Sequence, residues 1–257
     1  MTTNSEARYG GTVEFVVSTR ETDFAFDRVS FPCRHEGVTD GRVQCDFQTG
    51  VSGSVRTSGF PSRGEAVAAA ESDIDRIVGR LCLHYNLRFE PTRIDGSEVR
   101  SETPTDHIGS MRLSSAVSMR FRDAGSVRQR VSVDSIADLL SRDDVASVLH
   151  VKLYREAFGA ADGVERFMRL YGLLLMLCGD SQKRVDQVIR RYDPDVEQTQ
   201  SPIGNFRETI YTRLRNELGH AREGVDPNTT VNEMRNCSSG LARIIKSELC
   251  EIRRTAS

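Results

Sequence analysis

The chain has no tryptophan, only three lysines and no long hydrophobic run among its 257 residues. Its longest Leu-rich stretch, residues 170–178, is far shorter than the roughly 20 apolar residues that span a bilayer. The first apolar run, residues 12–17, is also short, and the basic segment that opens a secretion signal does not precede it. We therefore expect a cytoplasmic protein.

The six cysteines form no CxxC pair and follow no regular spacing, which argues against a zinc site or a disulfide framework. They are Cys33, Cys45, Cys82, Cys178, Cys237 and Cys250. A free cysteine on an apolar helix face behaves as a small hydrophobic residue. We expect reduced thiols, no metal and no other cofactor.

The formal net charge is only −2, so the chain lacks the global positive field that drives non-specific nucleic-acid binding. Arginine outnumbers lysine 32 to 3, which suits phosphate recognition but is also typical of a GC-rich genome. Any contact with RNA must therefore be local. The composition, 38% hydrophobic and 28% charged, is that of a globular protein with a packed core.

The N-terminal half predicts an antiparallel sheet and a helix. Short β-prone runs alternate with turn signals over residues 11–18, 28–34, 42–47 and 51–56. Ser62 and Glu65 have the spacing of a capping box that opens a helix over residues 63–86. Residues 88–106 have the composition of a loop. Residues 108–122 and 127–133, with a hairpin at 123–125, are expected to rejoin the sheet.

The pattern becomes helical after Ser132, which predicts a domain boundary near Ser141. Residues 1–140 would form an α+β domain of unknown role, able to sense a trigger or select a substrate, and residues 141–257 an all-α domain. Helices are expected over residues 145–158, from a cap at Asp162 to Gly179, and over 183–192. Ser201-Pro202 and Asp226-Pro227 each predict the start of a further helix.

The helix predicted after Ser201 combines an apolar stripe with a polar face. The stripe consists of Ile203, Phe206, Ile210, Leu214, Leu218 and Ala221. Thr212 and Asn216 lie nearly opposite, with Arg215 on one flank and His220 on the other. Arginine carries a permanent charge and a donor fork that suits phosphate, and histidine exchanges protons near neutral pH. The pattern therefore indicates a cationic, proton-exchanging groove.

The sequence Arg215-Asn216-x-x-x-His220 resembles the RNxxxH motif of the HEPN superfamily, which includes many RNases of toxin and antiviral systems. The resemblance covers roughly residues 146–252, where a Leu-rich helix, a second helix, the motif helix and a closing helix follow the order of a HEPN four-helix bundle. Apea-like and methylamine-utilisation-protein-J-like HEPN groups fit equally well. Arg28 to His35 and Arg100 to His107 meet a looser spacing, but in predicted strands or loops.

The resemblance implies a metal-independent endoribonuclease acting on tRNA or mRNA. His220 would act as general base or acid and Arg215 would bind the scissile phosphate, leaving 2′,3′-cyclic phosphate and 5′-hydroxyl ends. Asn216 would orient these groups, and Arg213 and Arg222 would add phosphate contacts. Arg215 and His220 lie about 140° apart on an ideal helix, so we expect a homodimer that pairs two motif helices.

Other interpretations stay open at this point. His220 could simply bond the last carbonyls of a helix, and Arg215 could pair with Glu217 or Glu208. The alternative function is a non-catalytic HEPN-like binding or scaffold module. The resemblance also implies toxin or antiviral defence biology, with an antitoxin, such as a nucleotidyltransferase-like protein, or a defence-system component as partner.

Overall fold

The computed structural model describes residues 8–20, 24–47, 50–85, 87–89, 92–102, 129–142, 148–202, 204–220 and 224–251. The fold is mixed α+β, with an antiparallel sheet followed by helices. The chain divides into two compact units, Met1–Asp143 and Asp144–Ser257. The division lies next to the boundary expected near Ser141.

The first unit contains a sheet in the order β7-β1-β5-β4-β3-β9, with β8 also paired to β1 and a separate β2–β6 pair. Pairing in the sheet is antiparallel except between β3 and β9. The strands are β1 Tyr9–Val17, β2 Thr19–Arg20, β3 Phe24–Phe31, β4 Val38–Asp46, β5 Gly50–Phe60, β6 Arg88–Phe89, β7 Arg93–Ser97, β8 Arg100–Ser101 and β9 Gln129–Arg130. The helices are α1 Arg63–Tyr85 and α2 Val133–Ser141.

Burial in the sheet follows the two-residue period of a strand. In β1, Val13, Phe15 and Val17 are buried, whereas Glu14 is exposed. Helices α1 and α2 pack on the sheet and supply the rest of this core, for example Ile77 of α1. The predicted antiparallel sheet is confirmed, and so is the helix predicted over 63–86 as far as Tyr85, where the described part of it ends.

The loop predicted over residues 88–106 is wrong in part, because this stretch contains three short strands. β7 pairs with β1 through Val13↔Ser97 and Val16↔Arg93. An edge strand pairs on one side only and tolerates glycine. The composition of such a strand therefore resembles that of a loop. The strand over 108–122 and the hairpin at 123–125 lie outside the described residues. Residues 129–130 do rejoin the sheet, in parallel with Phe24–Ala25.

The second unit contains helices and one short hairpin. Its elements are α3 Val148–Gly159, α4 Gly163–Leu177, α5 Gln182–Tyr192, β10 Gln198–Gln200, β11 Arg207–Thr209, α6 Ile210–Gly219 and α7 Pro227–Glu251. Helix α4 packs against α3 and α7, and α6 also packs against α7. The Asp162 carboxylate accepts the backbone N–H groups of Val164 and Glu165, which confirms the predicted cap. No helix in the described ranges is both long and apolar enough to cross a membrane.

The predicted start of the motif helix at Ser201 is wrong. Ser201-Pro202 belongs to the turn of the β10–β11 hairpin, where the Ser201 N–H donates to the Phe206 carbonyl at 2.9 Å. Ser-Pro initiates turns as well as helices, and Gly204-Asn205 then favours a turn. The helix begins nine residues later, after Thr209 as its cap.

Two helical glycines allow a test of the packing between α6 and α7. A Cβ on Gly240 would lie 2.5 Å from the Tyr211 hydroxyl oxygen. Tyr211 is buried and its ring stacks on Phe167, with centroids 6.4 Å apart, so it has little room to move. A Cβ on Gly172 in α4 would meet no atom within 4 Å.

We expect Gly240→Ala to lower the free energy of unfolding and Gly172→Ala to raise it. Alanine favours a helix by about 1 kcal/mol over glycine, and at residue 240 the clash exceeds this gain. Urea unfolding followed by circular dichroism measures both. Equal stabilisation by the two variants would contradict the close approach of Tyr211 to α7.

Candidate functional site

The position of α6 is fixed by a buried carboxylate on α5. Oδ1 of Asp186 accepts hydrogen bonds from the Thr209 N–H at 3.1 Å, the Thr209 hydroxyl at 2.7 Å and the Thr212 hydroxyl at 2.8 Å. The side-chain oxygen of Thr209 also accepts the N–H of Thr212, as an N-cap does. All three residues are buried, so the start of the helix is held from within the core.

Tyr171 on α4 extends this network. Because the Thr212 hydroxyl donates to Asp186, it accepts from the Tyr171 hydroxyl, 2.9 Å away. Burial, with a smaller contribution from the negative charge of Asp186, raises the pKa of Tyr171 to about 12. Tyr171 therefore stays protonated and acts as a donor at neutral pH.

The apolar stripe predicted for the motif helix describes its packing poorly. Phe206 precedes the helix and is 52% exposed, and Leu218 is 37% exposed. Ile203 and Ala221 lie outside the described residues, and Leu214 is fully buried as expected. The polar side chains expected to face solvent are instead buried: Thr212 on the Asp186 network and Asn216 on its own partners.

Asn216 joins three other side chains. Its Nδ2 donates to Oε2 of the buried Glu208 at 3.1 Å, and its Oδ1 accepts from Gln182 Nε2 and from Arg215 Nη1, each at 3.0 Å. A carboxylate can only accept here, which sets the direction of the amide. Asn216 is 6% exposed, so it acts on Arg215 from inside the protein.

Arg215 and His220 meet within one copy of the chain. Arg215 Nη1 lies 2.9 Å from His220 Nε2. The expectation that they are too splayed was wrong, because α6 ends at Gly219 and His220 is the C-cap, with φ −120° and ψ 9°. The ideal helical angle does not apply to a residue that has left the helix.

The contact defines which nitrogen donates and which accepts. A guanidinium group only donates, so Nε2 of His220 accepts and the proton of the neutral imidazole is on Nδ1. Both described contacts of Arg215 use Nη1, so its Nη2 and Nε donate to no residue that the structure describes. The edge of the Arg215 guanidinium group that carries Nη2 and Nε, both donors, therefore lies beside the basic Nε2 of His220 at the exposed end of α6.

The two other predicted site residues differ in their surroundings. Arg213 donates to Glu217 at 2.9 Å and to Glu233 at 2.6 Å, and is only 19% exposed. The pair with Glu217 lies within α6 and the pair with Glu233 links α6 to α7, so Arg213 stabilises the fold rather than facing a ligand. Arg222 lies outside the described residues.

Sequence reasoning missed Gln182 and Asp186, and it named Glu208 only as a possible ion-pair partner of Arg215. Each is polar and stood in what looked like a solvated position, yet Glu208 and Asp186 are almost fully buried. In α5 the apolar residues Val185 and Ile189 both lie within about 100° of Asp186 on the helical wheel, on the same side of it. That position is the one signal that could have indicated a buried carboxylate.

The cysteines of the described ranges are free thiols, and burial raises the pKa of Cys178 to about 11. Within those same ranges, no three His, Cys, Asp or Glu side chains are grouped so as to hold a metal ion.

No protein-family model matches the chain, and comparisons with curated proteins and with solved structures give no significant match.

We expect Asp186→Ala to lower the free energy of unfolding by about 3 kcal/mol, because three buried donors lose their acceptor. Asp195→Ala, at an exposed position after α5, is the control and should change it by less than about 0.5 kcal/mol. Urea unfolding measures both. Equal stability of the two variants would show that the Asp186 network does not hold α6.

Proposed function

We propose that the protein is a metal-independent endoribonuclease of the HEPN type, with Arg215 and His220 as its catalytic residues. The observation that carries the proposal is the 2.9 Å contact between Arg215 Nη1 and His220 Nε2 at an exposed helix end. The order of α4, α5, α6 and α7, with the motif on α6, also supports a HEPN-like bundle.

The geometry suits attack by the 2′-hydroxyl of RNA on the adjacent phosphate. The 2′-hydroxyl replaces Arg215 Nη1 as the hydrogen-bond donor to Nε2 of His220, and Nε2 then takes the 2′-hydroxyl proton. Nη2 and Nε of Arg215 bind two phosphate oxygens and offset their growing charge. The 2′-oxygen forms a bond to phosphorus and the bond to the 5′-oxygen breaks. A proton delivered to that oxygen completes the step, giving 2′,3′-cyclic phosphate and 5′-hydroxyl ends.

Asn216 would be a positioning residue in this mechanism. Its buried amide, tied to Glu208 and Gln182, holds Nη1 of Arg215 on one side. The guanidinium then loses less conformational freedom when a phosphate binds.

The proposal includes a homodimer through the motif helix. Phe206 and Leu218 leave large apolar side chains exposed beside α6, and a second copy could cover them. Two-fold pairing would bring a second Arg215 and His220 to the same cleft, so that one imidazole takes a proton and the other gives one. Cytoplasmic toxin or antiviral defence biology remains the proposed context.

A non-catalytic HEPN-like module is the second candidate, and one observation favours it. The His220 N–H donates to the Asn216 carbonyl, and its ring bonds Arg215, so both residues also close the C-terminal turn of α6. Internal hydrogen bonds of this kind stabilise the end of the helix without requiring a catalytic role.

We expect purified protein in EDTA to produce new 5′-hydroxyl ends in total RNA or tRNA. His220→Ala should reduce the cleavage rate at least about a hundredfold, because the general base is lost. Arg215→Ala should reduce it about a hundred- to a thousandfold. End-group analysis of the products measures all three.

His150→Ala, on α3, is the matched control and should cleave like the wild type. Intact RNA with the wild type would favour the non-catalytic module. Equal cleavage by the wild type and His220→Ala would place the activity elsewhere.

A further inference from the structure

Helix α5, which lies beside α6, carries four positively charged side chains. Its 11 residues include Lys183, Arg184, Arg190 and Arg191, and its one acidic residue is Asp186. Asp186 is 4% exposed and turned onto α6, so the solvent-facing side of α5 carries cations without an acidic residue of its own.

Among the described residues, one of these cations has ion-pair partners and the other three have none. Arg191 pairs with Glu248 and Glu251 on α7 and lies over the Tyr192 ring. Lys183, Arg184 and Arg190 form no ion pair with any residue in the described ranges. Lys183 is also one of only three lysines in the chain.

Helix α5 runs antiparallel to α6. Gln182 at its start bonds Asn216 near the end of α6, and Asp186 one turn later bonds Thr212 near the start of α6. The first turn of α5 therefore lies beside the Arg215–His220 pair. Gln182 and Arg215 even donate to the same oxygen, Asn216 Oδ1.

Helical geometry divides the cations between two flanks. Gln182 and Asp186 mark the side of α5 that faces α6. At about 100° per residue, Arg190 and Lys183 lie next to them around the helix, on that same side. They point in nearly the same direction and lie about 10.5 Å apart along the axis. Arg184 points about 100° further round, toward the α7 side, where it lines a groove with Arg191 and Glu248.

We infer that the α5 flank formed by Lys183 and Arg190 binds the phosphates of single-stranded RNA that continues from the Arg215–His220 site. The inference rests on the proposed function for its choice of RNA as the ligand. Arg213, expected from the sequence to contact phosphate, is instead occupied by Glu217 and Glu233. Lys183 and Arg190 supply the phosphate contacts that a chain with net charge −2 must make locally.

The test measures binding of a labelled single-stranded 12-nucleotide RNA by fluorescence anisotropy at several salt concentrations. It uses full-length His220→Ala protein, so that bound RNA is not cleaved, and adds Lys183→Gln, Arg190→Gln or Arg184→Gln. Each phosphate contact to a single strand contributes about 0.7 to the slope of log affinity against log salt. We expect Lys183→Gln and Arg190→Gln each to reduce the slope by about that amount.

Arg184→Gln is the matched control: an adjacent exposed cation on the other flank, whose loss should change the slope by less than about 0.3. An equal effect of Arg184→Gln, no effect of Lys183→Gln and Arg190→Gln, or no RNA binding would each overturn the inference. So would displacement of the RNA by polyglutamate of equal charge.

Cleavage by protein with His220 intact separates this inference from the proposed function. If the protein cleaves RNA but its RNA binding does not depend on Lys183 and Arg190, only the inference about the α5 flank is overturned. Binding that depends on Lys183 and Arg190 without any cleavage supports the flank as an RNA site and overturns only the nuclease.

Discussion

Oδ1 of Asp186 accepts three hydrogen bonds inside the second unit, and the position of the motif helix depends on it. Two donors belong to Thr209, the cap, and the third to Thr212 in the first turn, so one oxygen sets both where α6 begins and how it is rotated. A buried carboxylate is costly unless donors surround it. Because these donors are available only in this arrangement, the network specifies the helix start.

The candidate site is built outward from that buried start. Glu208, the residue before the cap, holds the Asn216 amide, and Asn216 holds Arg215. Arg215 in turn reaches His220, which has left the helix at its exposed end. Buried polar groups thus orient the exposed ones, which is the arrangement that either a nuclease or a precisely capped helix requires.

The sequence predicted the elements with strong local signals. Alternation marked the strands of the sheet, the capping box marked α1, and Asp162 marked the start of α4. The sequence-based prediction failed at β7, where pairing with β1 compensates for a composition with low strand propensity. It also failed at Ser201-Pro202, where the same residues are signals for a turn and for a helix start. At β7, contacts with a distant strand outweighed local propensity, whereas at Ser201-Pro202 the local signals fit a turn as well as a helix start.

The sequence by itself determined that Arg215, Asn216 and His220 lie late in a helical region, because the spacing and type of residues are local properties. Only the tertiary structure decided that Asn216 is buried, that Arg213 is occupied by two glutamates, and that Arg215 contacts His220 within one copy. The reason is that a helical wheel assumes where a helix begins and ends. Here the hydrogen bonds that Asp186, 23 residues before Thr209, accepts set the start, and the exit of His220 from the helix set the end.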